Sequence, residues 1–289
     1  MTMLTTLRRA AAVVAVALIG LVAATPLRAE VIIDVTRGNM RPLPIAIADM
    51  FGAGPAEAQY GKDIARVVAA DLERSGLFKP IDQRAFIQTP ASMQTNVRFA
   101  DWKQINAEAL VQGSVGMTPD GRLRVEFHLW DVFSETEIGG TGMAFSASPQ
   151  TWRRMAHLIA DAVYKRITGE DGYFDTQIVY ISESGPKNDR KKRLAIMDQD
   201  GENHKFLSDG SDIVLTPRFS PTAREITYMS YYRGTPRVYI YQIDTGRREQ
   251  LGDFPGMTFA PRFSPDGNKV IMSLAQDGNT EIYEMNLMT

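Results

Sequence analysis

The chain has 289 residues, no cysteine and a near balance of charge, with 32 basic against 34 acidic side chains. Without thiols there is no disulfide framework, no thiol catalysis and no thiolate metal site, so the folds must stand on burial alone. The charge balance argues against nucleic acid or anionic lipid as the main partner.

The N-terminus reads as an export signal. Arg8 and Arg9 give a positive start, Ala10 to Ala24 form an uncharged apolar run, and Leu27-Arg28-Ala29 places a small residue before Glu30. The run is 15 residues long, short of the roughly 20 that a spanning helix needs. The flanks of Arg8-Arg9 are Leu7 and Ala10-Ala11, and no cofactor motif requires folded export, so the Sec route is expected. Cleavage after Ala29 removes three Arg and no acid, leaving 29 basic and 34 acidic groups and a net charge of −5. With no cysteine to acylate, the product is expected to be a soluble exported protein and not a lipoprotein.

The first mature residues, Glu30, Val31, Ile32, Ile33, Asp34, Val35 and Thr36, form a β-prone run that Gly38 to Pro42 releases. Such a strand can pair within its own domain, or it can be lent to another protein by edge addition.

Residues 42–170 read as an α/β layer domain. Ile45–Ala48 is a predicted strand. Tyr60 to Ser75 places Ile64, Val67, Val68 and Leu72 on one helical face before Gly76. Leu110–Val115 and the Pro119-Asp120-Gly121 turn lead into Leu123, Val125, Phe127 and Leu129, which alternate with Arg124, Glu126, His128 and Trp130. Thr141–Ser146 is a further strand. Ser148 to Thr168 is the second long helix, with Ser148 as its cap, Pro149 in the first turn, an apolar stripe of Trp152, Met155, Ala156, Ile159, Val163 and Ile167, and Gly169 at its end. Polar, Gly-bearing sequence from Gly169 to Thr176 marks the boundary, and Ile178-Val179-Tyr180-Ile181 opens residues 171–289.

That last part repeats itself. Pro217-Arg218-Phe219-Ser220-Pro221 returns as Pro261-Arg262-Phe263-Ser264-Pro265, 44 residues later. Val238-Tyr239 answers to Ile282-Tyr283 and Gly234 to Gly278, while Leu194 and Ile196 stand 44 before Val238 and Ile240. A 40–50-residue period of short strands and turns is the pattern of a β-propeller, about four strands per blade. The expected strands include Glu225–Ser230, Arg237–Ile243, Lys269–Ser273 and Glu281–Leu287, with Phe219 and Phe263 facing blade interiors. Room exists for about two and a half blades, whereas closed propellers need about four to eight. The expectation is therefore an incomplete propeller and a truncated chain.

Catalytic constellations are nearly absent. Gln112-Gly113-Ser114-Val115-Gly116 lacks the first glycine of a nucleophile elbow. His128, His157 and His204 are scattered, and His157 reads as a structural residue beside an apolar helix stripe. Asp198 to Asn203 has glycine at its fourth place and no glutamate at its twelfth, so it reads as a hairpin turn and not a calcium loop. Lys187 to Arg193 reads as a solvated loop. No cofactor is expected.

The whole pattern resembles the TolB family, periplasmic components of the Tol–Pal system of Gram-negative bacteria. Glu30-Val31-Ile32 is similar to its mature start and Ile64 to Gly76 to its first helix. Leu110-Val111-Gln112-Gly113 with Pro119-Asp120-Gly121 is similar to its central hairpin, and Ala260 to Gly267 to its blade signature. Pro221-Thr222-Ala223-Arg224 departs from the Asp-Gly turn of that signature. The resemblance implies a six-bladed, non-enzymatic adaptor that maintains outer-membrane integrity and serves invagination during cell division. It implies that the N-terminal strand, Glu30 to about Arg41, binds the C-terminal domain of the inner-membrane protein TolA. It also implies that a propeller loop, Phe254 to Ala260, binds the lipoprotein Pal through Met257, Thr258 and Ala260, Met257 standing where some relatives have a polar residue. The alternative is the gating propeller of a prolyl-oligopeptidase-like hydrolase, since Phe-Ser-Pro-Asp-Gly blades occur there too. Sequence beyond Thr289 would decide between a hydrolase domain and further blades. A sugar-binding propeller is disfavoured, because no loop concentrates aromatic residues.

Overall fold

The computed structural model describes residues 41–140 and 142–288 and divides into two compact units, one through Gly172 and one from Tyr173. The export signal and the strand Glu30–Thr36 fall outside the described residues.

The first unit is ordered β1 (Leu43–Ile47), β2 (Phe51–Gly52), α1 (Pro55–Arg74), β3 (Phe78–Pro80), α2 (Pro90–Thr95), α3 (Phe99–Gln104), β4 (Ala109–Met117), β5 (Leu123–Asp131), β6 (Thr136–Glu137), β7 (Met143–Ala147) and α4 (Trp152–Thr168). The sheet runs β3-β1-β4-β5, with β2 on β4 and both β6 and β7 on β5. β1 lies parallel to β3 and β4, and its apolar run Leu-Pro-Ile-Ala-Ile is almost wholly buried, as expected of a central parallel strand covered on both faces. β5 is antiparallel to β4 and alternates, with Leu123, Val125, Phe127 and Leu129 fully buried.

Ile64, Val67, Val68 and Leu72 of α1 are all buried. The helix begins at Pro55 and not at Tyr60, because Pro suits the first turn and Glu57 favours the positive helix end. Small and polar residues there leave no apolar period to read. Met155, Ala156, Ile159, Val163 and Ile167 line the buried face of α4, and Gly169, at φ 80°, closes it in the left-handed conformation. Ser148 does not cap this helix. Its hydroxyl bonds the Gln150 side chain, and Pro149–Thr151 forms a 3₁₀ turn before α4 begins. The strand expected from Thr141 starts at Met143.

α2 and α3 cover the other face of β1 and β4, where Ala46, Ala48, Met93, Trp102, Leu110 and Val132 form one cluster. Thr89 and Ser92 make a reciprocal capping box at the start of α2. Gln88 ties the pair together. Its side-chain oxygen accepts from Arg98 N–H (2.8 Å) and Trp102 Nε1 (3.0 Å), and its amide donates to the Asn96 carbonyl (3.0 Å).

The second unit is three antiparallel sheets. β8 (Gln177–Ser184), β9 (Lys191–Asp198) and β10 (Lys205–Phe206) form the first. β11 (Val214–Phe219), β12 (Glu225–Ser230), β13 (Arg237–Gln242) and β14 (Arg248–Gln250) form the second, and β15 (Met257–Phe263), β16 (Lys269–Gln276) and β17 (Asn279–Asn286) the third. The fold is thus an α/β domain followed by a partial β-propeller. Lys191 to Arg193 belong to β9 and not to a loop. Glu183, opposite on β8, pairs with Lys192 Nζ at 2.8 Å and offsets the charge of the run.

The Phe-Ser-Pro-Asp-Gly motif is a self-contained turn. Ser264 Oγ accepts from Lys269 N–H (3.0 Å), the Asp266 carboxylate accepts from Asn268 N–H (3.1 Å), and Gly267 sits at φ 73° with its N–H on the Ser264 carbonyl (2.9 Å). The Ser264 hydroxyl and the Asn268 N–H hold the Asp266 carboxyl below its usual range. At Pro221-Thr222-Ala223 the aspartate is missing, and Ser220 Oγ alone accepts from Thr222 and Ala223 N–H. Phe263 is half-buried against Val238, Leu251, Val270 and Met272, and Phe219 is half-buried too.

Candidate functional site

Each of the three histidines has its own neighbours. His157 of α4 bonds Asp71 of α1 through Nδ1 at 2.6 Å, both fully buried, and Arg74 Nη1 reaches the other oxygen of Asp71 at 3.1 Å. The apolar surroundings of His157 were readable from its helix, but its carboxylate partner, 86 residues away in sequence, was not. His128 Nδ1 bonds Glu137 Oε1 at 2.9 Å. In the second unit His204 packs edge-on to Phe206, with ring centroids 4.5 Å apart.

The residues expected to meet a partner divide in two. Glu30, Val31, Ile32, Ile33, Asp34, Val35 and Thr36 lie outside the described residues. Met257, Thr258 and Ala260 are in β15, where a loop was expected. The segment pairs with β16 from Met257–Ala275 to Phe263–Val270, interrupted between Phe259 and Arg262. Ala260 and Pro261 form that interruption, a bulge with Ala260 at φ 53°. A proline lacks the N–H that a ladder needs and a left-handed residue breaks the pleat, so the stretch looks turn-like in sequence while remaining a strand.

The three side chains meet different surroundings. Met257 is exposed, and so is Ala260. Thr258 is fully buried, its Oγ1 accepting from Val238 N–H at 2.9 Å and its own N–H donating to the Pro236 carbonyl at 3.2 Å. Thr258 therefore stitches β15 to β13. Phe254, also counted with that loop, is half-buried in the apolar cluster of Val238, Leu251, Val270 and Met272. Among the described residues, no helix is long and apolar enough to cross a membrane.

The comparisons agree along the chain. Residues 31–138 match the TolB amino-terminal domain and residues 164–289 the TolB beta propeller domain. The Tol-Pal system protein TolB of Paramagnetospirillum magneticum is 68% identical over 253 residues, which are 88% of this chain and 56% of that protein. A crystal structure of TolB from Acinetobacter baumannii superimposes with a TM-score of 0.73 at 28% identity, over 86% of this chain and 59% of that one. The chain thus spans between half and two thirds of the length of these relatives. Both domains match in the order in which the chain carries them, and the chain belongs to the TolB family.

Proposed function

We propose that the protein acts in the periplasm as a non-enzymatic adaptor of the Tol–Pal system, engaging Pal through its propeller and the C-terminal domain of TolA through its first mature residues. The observation that carries this reading is the tandem of family domains, together with 68% identity to a protein named for that system. Arg8-Arg9 and the apolar run after them support Sec export, and the lack of cysteine supports a soluble product without a lipid anchor.

The two contacts need different physics. Val31, Ile33 and Val35 alternate with Ile32, Asp34 and Thr36, giving one fully apolar strand face. Gly38 and Pro42 separate that run from β1, and a short terminal strand of this kind can be lent to a partner's sheet edge. The propeller contact instead uses side chains held on rigid strands, Met257 and Ala260 exposed beside a buried Thr258.

The test is calorimetric titration of the mature protein with the soluble domain of Pal and with the TolA C-terminal domain. Deleting Glu30–Arg41 should abolish the TolA heat and leave the Pal heat nearly unchanged. An undiminished TolA heat would move that contact elsewhere on the molecule.

A further inference from the structure

We propose that the crevice between the carboxyl ends of β1 and β3 binds a small molecule with an apolar body and one carboxylate group. The topology opens this crevice. β1 and β3 are parallel neighbours, yet the chain leaving β1 passes to α1 on one face of the sheet. The chain leaving β3 passes instead to α2 and α3 on the other face. Connections that diverge in this way leave a gap beyond the strand ends, and in open α/β sheets that gap is where ligands bind. Here it is a cavity of ≈ 350 Å³, within the roughly 300–1,000 Å³ of small-molecule sites.

Three segments wall the cavity. Ile47 ends β1, Pro80 ends β3 with Ile81 after it, and Ala69 faces them from α1. These four make an apolar lining. Gln83 braces the two strand ends, its Nε2 donating to the Ile47 carbonyl and to Asp49 Oδ1, both at 3.0 Å. A crevice held by its own hydrogen bonds needs little ordering when a ligand enters, which favours binding.

The charged groups of the wall are not equivalent. Asp63 accepts from Gln59 Nε2 at 3.0 Å and from Arg66 Nη2 at 2.7 Å, and Asp49 accepts from Gln83. Both carboxylates therefore already have donors from the protein. Lys62 lines the same cavity and is exposed. Among the described residues it makes no hydrogen bond or ion pair, so three N–H donors on a full positive charge remain unused. An anion answers that charge, and an apolar body attached to it covers Ile47 and Ile81. The assignment is independent of the adaptor reading, since it uses the α/β unit alone.

Octanoate is the probe, followed in the mature protein through the isoleucine δ1-methyl signals in NMR. The Ile47 and Ile81 signals should shift in a saturable way. Lys62→Met should weaken octanoate about 10-fold, the worth of a hydrogen bond to a charged group, with the melting temperature unchanged, while Lys62→Arg should bind as the parent does. Octylammonium, with a similar chain and the opposite charge, should bind the parent about 10-fold more weakly than octanoate. Ile47 and Ile81 signals that stay in place up to ~10 mM octanoate, enough to fill a site of roughly millimolar affinity, would overturn the proposal. So would shifts confined to other isoleucines, or equal binding of octanoate and octylammonium. Parent-like octanoate binding by Lys62→Met would remove the carboxylate from the assignment and overturn it as well.

Discussion

β13 and β17 occupy the same place in successive repeats, and they bury the same kind of residue to opposite degrees. Val238 is fully buried, whereas Ile282, its counterpart 44 residues later, is 71% exposed. One strand over, Thr227 is fully buried and Ile271 is 45% exposed. The side chains do not account for this, since the exposed pair is the more apolar. What lies over them does. Val238 packs against Val270 and Met272 of the following sheet, while among the described residues no sheet covers the corresponding face of β16 and β17. The α/β unit behaves differently, because α1 and α4 bring their own cover to its strands. In a repeat, burial belongs to the contact between copies and not to the copy itself.

The largest effect should separate those two strands. Val238→Ala is expected to cost about 2–3 kcal/mol through lost contact and a residual cavity, and Ile282→Ala less than about 0.5 kcal/mol, as for an exposed site. Urea unfolding followed by a propeller-specific probe measures both. Equal losses at the two positions would mean that the outer face of the last sheet is covered in solution.

A second contrast lies on the opposite face. Tyr228 stands where the next repeat has Met272, and both are buried. Burial pushes the Tyr228 phenol up to about 12, outweighing the nearby Arg248 guanidinium, which acts to lower it. The folded pKa exceeds the unfolded value near 10, so the neutral phenol favours the folded state. That contribution, of order 2 kcal/mol, is complete below pH 10 and is lost as pH rises through 12. Tyr228→Phe should remove this part of the alkaline stability loss. A variant that keeps the full slope between pH 10 and 12 would assign it to other groups.

The parts legible in the sequence were those where one period runs long enough to be read. α1 and α4 show helical spacing over several turns, β5 alternates over nine residues, and the 44-residue echo exposes the blades. α2 and α3 were missed because six residues hold under two turns and are stabilised by a local capping box and by Gln88, not by an apolar stripe. Of the candidate site, the resemblance put Met257, Thr258 and Ala260 in a loop, and the bulge at Ala260 hid the strand. The Asp71–His157 bond joins helices far apart in sequence, and no local pattern records it.

A smaller effect, of opposite sign, is expected at Thr227. Its hydroxyl is fully buried without a hydrogen-bond partner, at the place where the next repeat carries Ile271. An unsatisfied buried hydroxyl costs about 1–3 kcal/mol, and valine replaces it at nearly equal volume. Thr227→Val should therefore stabilise the propeller by about 1 kcal/mol, visible as a rise in melting temperature. A fall would show that the hydroxyl finds a partner in solution.

The smallest change concerns the bulges, where the two sheets agree in geometry and differ in chemistry. Thr216 sits at φ 49° and Ala260 at φ 53°, each followed by proline and each between shifted strand registers. A left-handed conformation costs an L-residue roughly 1–2 kcal/mol, and more for a β-branched side chain. Glycine removes that strain but loses about 0.5–1 kcal/mol through its freer unfolded chain. The balance should leave Thr216→Gly stabilising by about 0.5–1 kcal/mol and Ala260→Gly close to neutral. Melting both variants against the parent gives the difference directly. If Ala260→Gly gained as much as Thr216→Gly, branching at Cβ would have no part in the strain, and the two bulges would be alike in chemistry as well as in shape.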